Sequence, residues 1–172
     1  MNQVSNSRKP LRLNVGFIIN AQIGFSRDFD FDIPLFKAGE DLTLTDFQGV
    51  AKIGRTPQGL IVQGNFTGSA KQECVRCLEE YDQPLTWEFI ELYAFDRKSM
   101  TESGLMVPED AHIDLQPLVR EFALLEIPIK PLCKPDCKGL CVTCGENLNE
   151  NDCGHRPDDD SPFAVLKQLL DD

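Results

Sequence analysis

The chain has 172 residues, 41% of them hydrophobic, and a formal net charge of -11, enough for one core of ordinary size with an appendage but not for two full domains. That charge excludes wholesale coating of nucleic acid, which needs a basic surface to displace counterions, and it suits a basic protein partner better. The start, MNQVSNSRKP, is polar and no apolar run reaches membrane-spanning length, so neither a signal peptide nor a spanning helix is expected and the protein reads as soluble and cytoplasmic.

From Leu11 to about Phe95 the hydrophobic pattern has mostly period two. Leu11, Leu13 and Val15 alternate with polar residues, and Phe29, Phe31 and Ile33 alternate with Asp28, Asp30 and Asp32. A run from Leu42 and Leu44 to Ile53 is closed by the turn-like GRTPQG of Gly54 to Gly59, and runs at Leu60 to Ser69 and Leu85 to Phe95 continue the series. Arg97 to Asp110 carry no period and many breakers and predict a loop. Asp114 then suits a helix cap, with Leu115, Leu118, Val119, Phe122 and Leu125 on one face, Pro117 in the first turn, and Pro128 and Pro131 as stops. The tail reads as three aspartates leading to a short helix capped by Ser161, with Phe163, Leu166, Leu169 and Leu170 as its apolar stripe. The expected fold is α+β: an antiparallel β-meander, as a curved sheet or partial barrel, with one packed helix and a C-terminal zinc-knuckle segment. The expected organisation is a β-rich domain over 1–128 with a helix at 114–127, a cysteine-rich zinc-binding segment over 129–156, and an acidic linker with a short helix over 157–172.

Seven cysteines, an odd number, with tight C-x-x-C spacings and no secretion signal point to metal binding in a reducing compartment rather than to a disulfide framework. Cys133 to His155 hold five cysteines and one histidine, donors that Zn²⁺ prefers. Cys141-Val-Thr-Cys144-Gly145 has the form of a zinc knuckle, in which the glycine lets backbone N–H groups approach the sulfurs. Cys137 and Cys153 are the first choice to complete a structural Zn²⁺ site with Cys141 and Cys144, and Cys133 and His155 are further candidates. Cys74-Val-Arg76-Cys77 lies between two strand-like runs and is either a second half-site, part of a partner surface, a plain turn, or a redox pair. Seven cysteines and His155 together make eight donors, enough for two tetrahedral ions.

Catalytic signals are missing. His112 is the only histidine outside the cluster, and no glycine-rich phosphate loop or paired nucleophile and base stands out, so the protein is expected not to be an enzyme and to take no small-molecule substrate. Lys71, Lys130, Lys134 and Lys138, with Lys52, Arg55 and Arg76, could form a local basic patch able to meet RNA phosphates, although scattered solvated lysines are the simpler expectation.

Four motifs, ECVRCL at Glu73–Leu78, IDLQPLVREFALLEIPIKPLC ending at Cys133, DCKGLCVTCGENLNENDCGH at Asp136–His155, and SPFAVLKQLL from Ser161, resemble the YceD family of large ribosomal RNA subunit accumulation proteins. The resemblance implies a non-enzymatic role in maturation or accumulation of large-subunit ribosomal RNA and in assembly of the large subunit, in a bacterial or cyanobacterial cytoplasm. Implied partners are precursor ribosomal RNA, a basic ribosomal protein or a processing nuclease. The family's block often ends in Cys-x-Cys or a histidine-rich variant, which favours Cys153 or His155 as a ligand. Members that lack the block suggest that zinc supports the fold while the activity lies on the strand-rich surface around Cys74 to Leu78. Two other functions remain open: a thiol redox protein using Cys74 and Cys77, and a zinc-stabilised interaction module unrelated to ribosomes.

Overall fold

Alternating apolar and polar residues over long runs build four long strands, β2 (Ser26–Lys37), β3 (Thr43–Arg55), β4 (Gly59–Glu73) and β5 (Glu80–Ala94). They form one open, curved antiparallel sheet in the order β2-β3-β4-β5. The computed structural model describes residues 9–155, so the helix expected within 157–172 lies outside the described residues. Asp28, Asp30 and Asp32 are exposed while Phe29, Phe31 and Ile33 are half-buried, as their alternation requires. The turn at Arg55 to Gly59 is closed by Thr56, whose N–H donates to the Gly59 carbonyl (2.9 Å) and whose Oγ1 accepts the Gly59 N–H (3.1 Å). The β3–β4 register shifts between Thr45 and Gln48, where Asp46 takes φ 51°, a bulge that curves the strand.

The remaining elements depart from a simple meander. The alternation of Leu11 to Val15 predicts that this segment opens it, but β1 (Arg12–Asn14) pairs instead with β6 (His112–Asp114), with Arg12 opposite Asp114. A four-residue helix, α1 (Gly16–Ile19), follows β1, where the spacing of Val15 and Ile18 suits a turn as well as a strand. The second helix among the described residues, α2, runs Gln116–Glu126. Its Asp114 carboxylate accepts the Gln116 N–H at 3.0 Å, so the expected capping side chain acts from one position outside the cap residue, Leu115. Ile127 is extended, as the residue before Pro128 must be, and ends the helix.

The chain divides into two compact units. The first, 9–72 with 82–129 among the described residues, holds the main core: Phe47, Phe66, Trp87 and Phe89 of the sheet, Leu118, Val119 and Ala123 of α2, and Leu11, Val15 and Ile18. Phe66 stacks on Phe47 (5.3 Å), and Phe89 on Phe122 of α2 (5.1 Å). The second unit, 73–81 with 130–155 among the described residues, takes the tip of the β4–β5 hairpin together with the cysteine-rich segment, and its core is Cys74, Cys77 and Cys137 with Tyr81, Leu132 and Cys133 packed against them. No helix among the described residues is long and apolar enough to cross a membrane.

Candidate metal centre

Two C-x-x-C turns in the second unit share one backbone geometry. In the hairpin tip the Leu78 N–H donates to the Cys74 carbonyl (2.9 Å) and the Cys74 N–H to the Glu79 carbonyl (2.9 Å), with Leu78 at φ 60°. Downstream the Gly145 N–H donates to the Cys141 carbonyl (2.9 Å) and the Cys141 N–H to the Glu146 carbonyl (2.8 Å), with Gly145 at φ 76°. Such turns aim amides at the first sulfur, and the Thr143 N–H reaches Cys141 Sγ at 3.4 Å. The left-handed residue after the second cysteine is the expected glycine in one knuckle and a leucine in the other.

None of the seven cysteines is in a disulfide. Their donor atoms fall into two quartets, Cys74, Cys77, Cys133 and Cys137, and Cys141, Cys144, Cys153 and His155, each with every donor within 4.8 Å of the others. Cys74 and Cys137 sulfurs are 3.8 Å apart, and those of Cys77 and Cys133 3.6 Å. A tetrahedral ion with Zn–S bonds of about 2.3 Å needs sulfurs about 3.8 Å apart, so the first quartet has the spacing of a four-coordinate site. Either quartet could hold a metal ion, since thiolate and imidazole are the donors such ions take.

Of the ligands expected for one ion, Cys141, Cys144 and Cys153 come together, joined by His155, while Cys137 lies in the other quartet. Cys133 joins Cys137 there and the C-x-x-C of the hairpin completes the set, because the Val75 N–H to the Pro131 carbonyl (3.0 Å) and the Leu140 N–H to the Arg76 carbonyl (3.0 Å) lay the two segments side by side. Arg76 is held within the unit, its Nη1 donating to the Cys137 carbonyl at 2.8 Å. Lys130, Lys134 and Lys138 are exposed in this unit, and Lys71 is exposed on β4 of the other.

One residue escaped the sequence reading. Asn149 Nδ2 donates to Cys137 Sγ (3.3 Å) while its Oδ1 accepts the Lys138 N–H (2.9 Å). Asn147 fixes it through Oδ1, and reaches Glu79 with its own Nδ2 (2.8 Å). The only sequence signal is the asparagine-rich turn Asn147-Leu-Asn149, a composition shared by many turns without metals.

Electrostatics divide the thiols. Burial pushes the Cys74 thiol up, but N–H groups of Cys133, Cys77 and Arg76 outweigh it and bring it to about 6. At Cys141 the N–H groups of Cys144 and Thr143 dominate burial, again giving about 6. Cys133 is pushed up to about 12 by burial and by the neighbouring thiols of Cys77, Cys137 and Cys74. Backbone N–H groups thus hold the first cysteine of each knuckle toward the thiolate, the form a metal needs: those of its own turn at Cys141, and at Cys74 chiefly that of Cys133, with its own turn adding to it.

The family model described as "Large ribosomal RNA subunit accumulation protein YceD" matches residues 62–170, a span that includes every cysteine and both histidines. An uncharacterised protein of Mycobacterium tuberculosis is 31% identical over 126 residues, 69% of this chain and 59% of that protein. The chain therefore spans about three fifths of the length of the mycobacterial relatives it matches. Chloroplastic proteins of Zea mays and Arabidopsis thaliana, each called a large ribosomal RNA subunit accumulation protein YCED homolog, are 33% identical over 95 residues (55% of this chain, 28% of that one) and 43% over 64 (36% and 20%). No solved structure matches. With its cysteine knuckles inside the matched span, the chain belongs to the YceD family of large ribosomal RNA subunit accumulation proteins.

Proposed function

We propose that this protein is a non-enzymatic factor in the maturation or accumulation of large-subunit ribosomal RNA, and so in assembly of the large ribosomal subunit. The observation that carries this reading is membership of a family described by accumulation of that RNA, over a matched span holding both cysteine quartets. Its partner is a precursor of that RNA, a basic ribosomal protein or a processing nuclease, and the net charge of -11 favours a basic protein. The cytoplasm is the proposed place of action.

The metal is structural zinc. Four protein ligands leave no open position for a reacting water, and four donors that all lie within 4.8 Å of one another surround one ion, since thiolates on different irons of a cluster stand farther apart. His112, the histidine outside the quartets, has its Nδ1 2.6 Å from the Asp110 carbonyl oxygen, an arrangement that supports a structural turn rather than acid–base work. Dithiol exchange by Cys74 and Cys77 is disfavoured because both are buried, at 0% and 3% exposure, and an exchanging sulfur must be reached in line by its substrate.

Depletion followed by analysis of ribosomal RNA and gradient sedimentation tests the function. The expected result is less mature large-subunit RNA and co-sedimentation of the protein with large-subunit precursors. An unchanged RNA profile would overturn it, and capture of partners unrelated to ribosomes would point instead to a zinc-stabilised interaction module.

A further inference from the structure

We infer that the protein holds two zinc ions that are not equivalent: an inner ion on Cys74, Cys77, Cys133 and Cys137, and an outer ion on Cys141, Cys144, Cys153 and His155. The outer ion is the faster to exchange. The inference rests on the reading of the metal as structural zinc and is independent of the role in ribosomal RNA accumulation.

Three observations carry it. First, the knuckles at Cys74–Cys77 and Cys141–Cys144 repeat the same pair of backbone hydrogen bonds, and each has a left-handed residue, Leu78 or Gly145, directly after the second cysteine. A knuckle supplies two of four ligands, so two knuckles in separate quartets are two half-sites. Second, each half-site has its own completing pair: Cys133 and Cys137 lie 3.6 and 3.8 Å from the hairpin sulfurs, while Cys153 and His155 lie within 4.8 Å of the downstream ones. The eight donors divide without a remainder and no donor is shared. Third, Asn149 donates to Cys137 Sγ, the kind of supporting bond that orients a metal-bound thiolate.

Burial separates the two sites. Cys74, Cys77 and Cys137 are buried and form the apolar centre of their unit, so the inner ion takes the place of a hydrophobic core that a segment this small lacks. At the outer site Cys144 and His155 are exposed, and a competing chelator reaches them without unfolding the chain. The inner site also draws its ligands from positions 56 and 63 residues apart in sequence, whereas the outer spans only Cys141 to His155. Losing the inner ion releases the hairpin tip from the C-terminal segment; losing the outer one loosens a local loop.

The test counts zinc in the full-length protein purified without chelator and follows its transfer to a chromophoric chelator. Two zinc ions per chain are expected, released in a fast and a slow phase. Cys153→Ser should retain one ion and lose the fast phase. Cys137→Ser should lose the slow phase and, where that variant does not fold, His155→Cys gives an independent reading. Reconstituted with cobalt(II), His155→Cys should raise the thiolate charge-transfer absorbance by one thiolate over the seven of the wild type. One ion per chain, abolished by both serine substitutions, would overturn the two-site partition while leaving structural zinc intact. No zinc in protein made in zinc-replete cells would overturn structural zinc as well. Two ions released in a single phase, or no spectral change in His155→Cys, would overturn the non-equivalence or the histidine ligand.

Discussion

Asn149 offers the sharpest test of how the inner site is tuned. Its Nδ2 reaches Cys137 Sγ at 3.3 Å while its Oδ1 independently accepts the Lys138 N–H at 2.9 Å. Asn149→Asp keeps the second bond and the size of the side chain but replaces the donor facing the sulfur by a carboxylate oxygen. Loss of a supporting bond of this kind weakens a metal site by about 10–100-fold, or roughly 1.4–2.7 kcal/mol at about 1.4 kcal/mol per tenfold. The aspartate adds repulsion: two unit charges at 3.3 Å oppose each other by about 5 kcal/mol at an effective dielectric of ~20. Zinc neutralises part of the sulfur's charge and Asn149 is half-buried, so only a fraction of that survives. Asn149→Asp should therefore lose more affinity than Asn149→Ala, which in turn should lose about 10–100-fold. Both are measured by competition with a fluorescent zinc chelator in a Cys153→Ser background, where only the inner ion remains. Wild-type affinity in the aspartate variant would refute the idea that the amide supports the thiolate.

Phe66→Ala should destabilise the β-rich unit by about 3–5 kcal/mol, because Phe66 is 1% exposed and packs on Phe47, Trp87 and Phe89 at 5.3 to 6.0 Å; chemical denaturation followed by tryptophan fluorescence reads it. Arg120 donates to both carboxylate oxygens of Asp41 (3.0 and 2.5 Å) and holds that carboxyl below its ordinary value. Its folded pKa being depressed, the pair adds stability above the ordinary carboxylate pKa and loses it as pH falls through the lowered one, so the stability difference between wild type and Asp41→Asn should shrink on acidification below about pH 4. Leu78→Gly removes a side chain that is 56% exposed from a left-handed position, a conformation costing leucine about 1–2 kcal/mol against about 0.5–1 kcal/mol of extra chain entropy for glycine. A small gain in thermal stability of the cysteine unit is expected, and a loss would refute the strain.

The long strands were legible because their signal is local. The aspartate and phenylalanine alternation of β2 faces outward and inward as its period demands, and Pro128 ends α2 through the extended Ile127. The place of β1 is not legible, because Leu11, Leu13 and Val15 say only that a strand is half-buried, not which strand lies beside it. Its partner, β6, is a three-residue strand after the breaker-rich loop, too short to register in any window.

The metal ligands divide along the same line. Each C-x-x-C knuckle is legible because turn, hydrogen bonds and left-handed residue lie within six positions, from Cys74 to Glu79 and from Cys141 to Glu146. Which pair completes the hairpin knuckle is decided by chain segments dozens of residues apart, and thiol chemistry is identical at every cysteine, so spacing alone leaves Cys137 free to join either. What assigns it is backbone pairing: Val75 with Pro131 and Leu140 with Arg76 set the hairpin tip against residues 131–140, and that places Cys133 and Cys137 over Cys77 and Cys74. Once those two are taken, Cys153 and His155 are the remaining donors for the second knuckle, and Gly154, at φ 73°, turns the chain between them. The ligand set of the outer site thus follows from hydrogen bonds that no outer ligand makes.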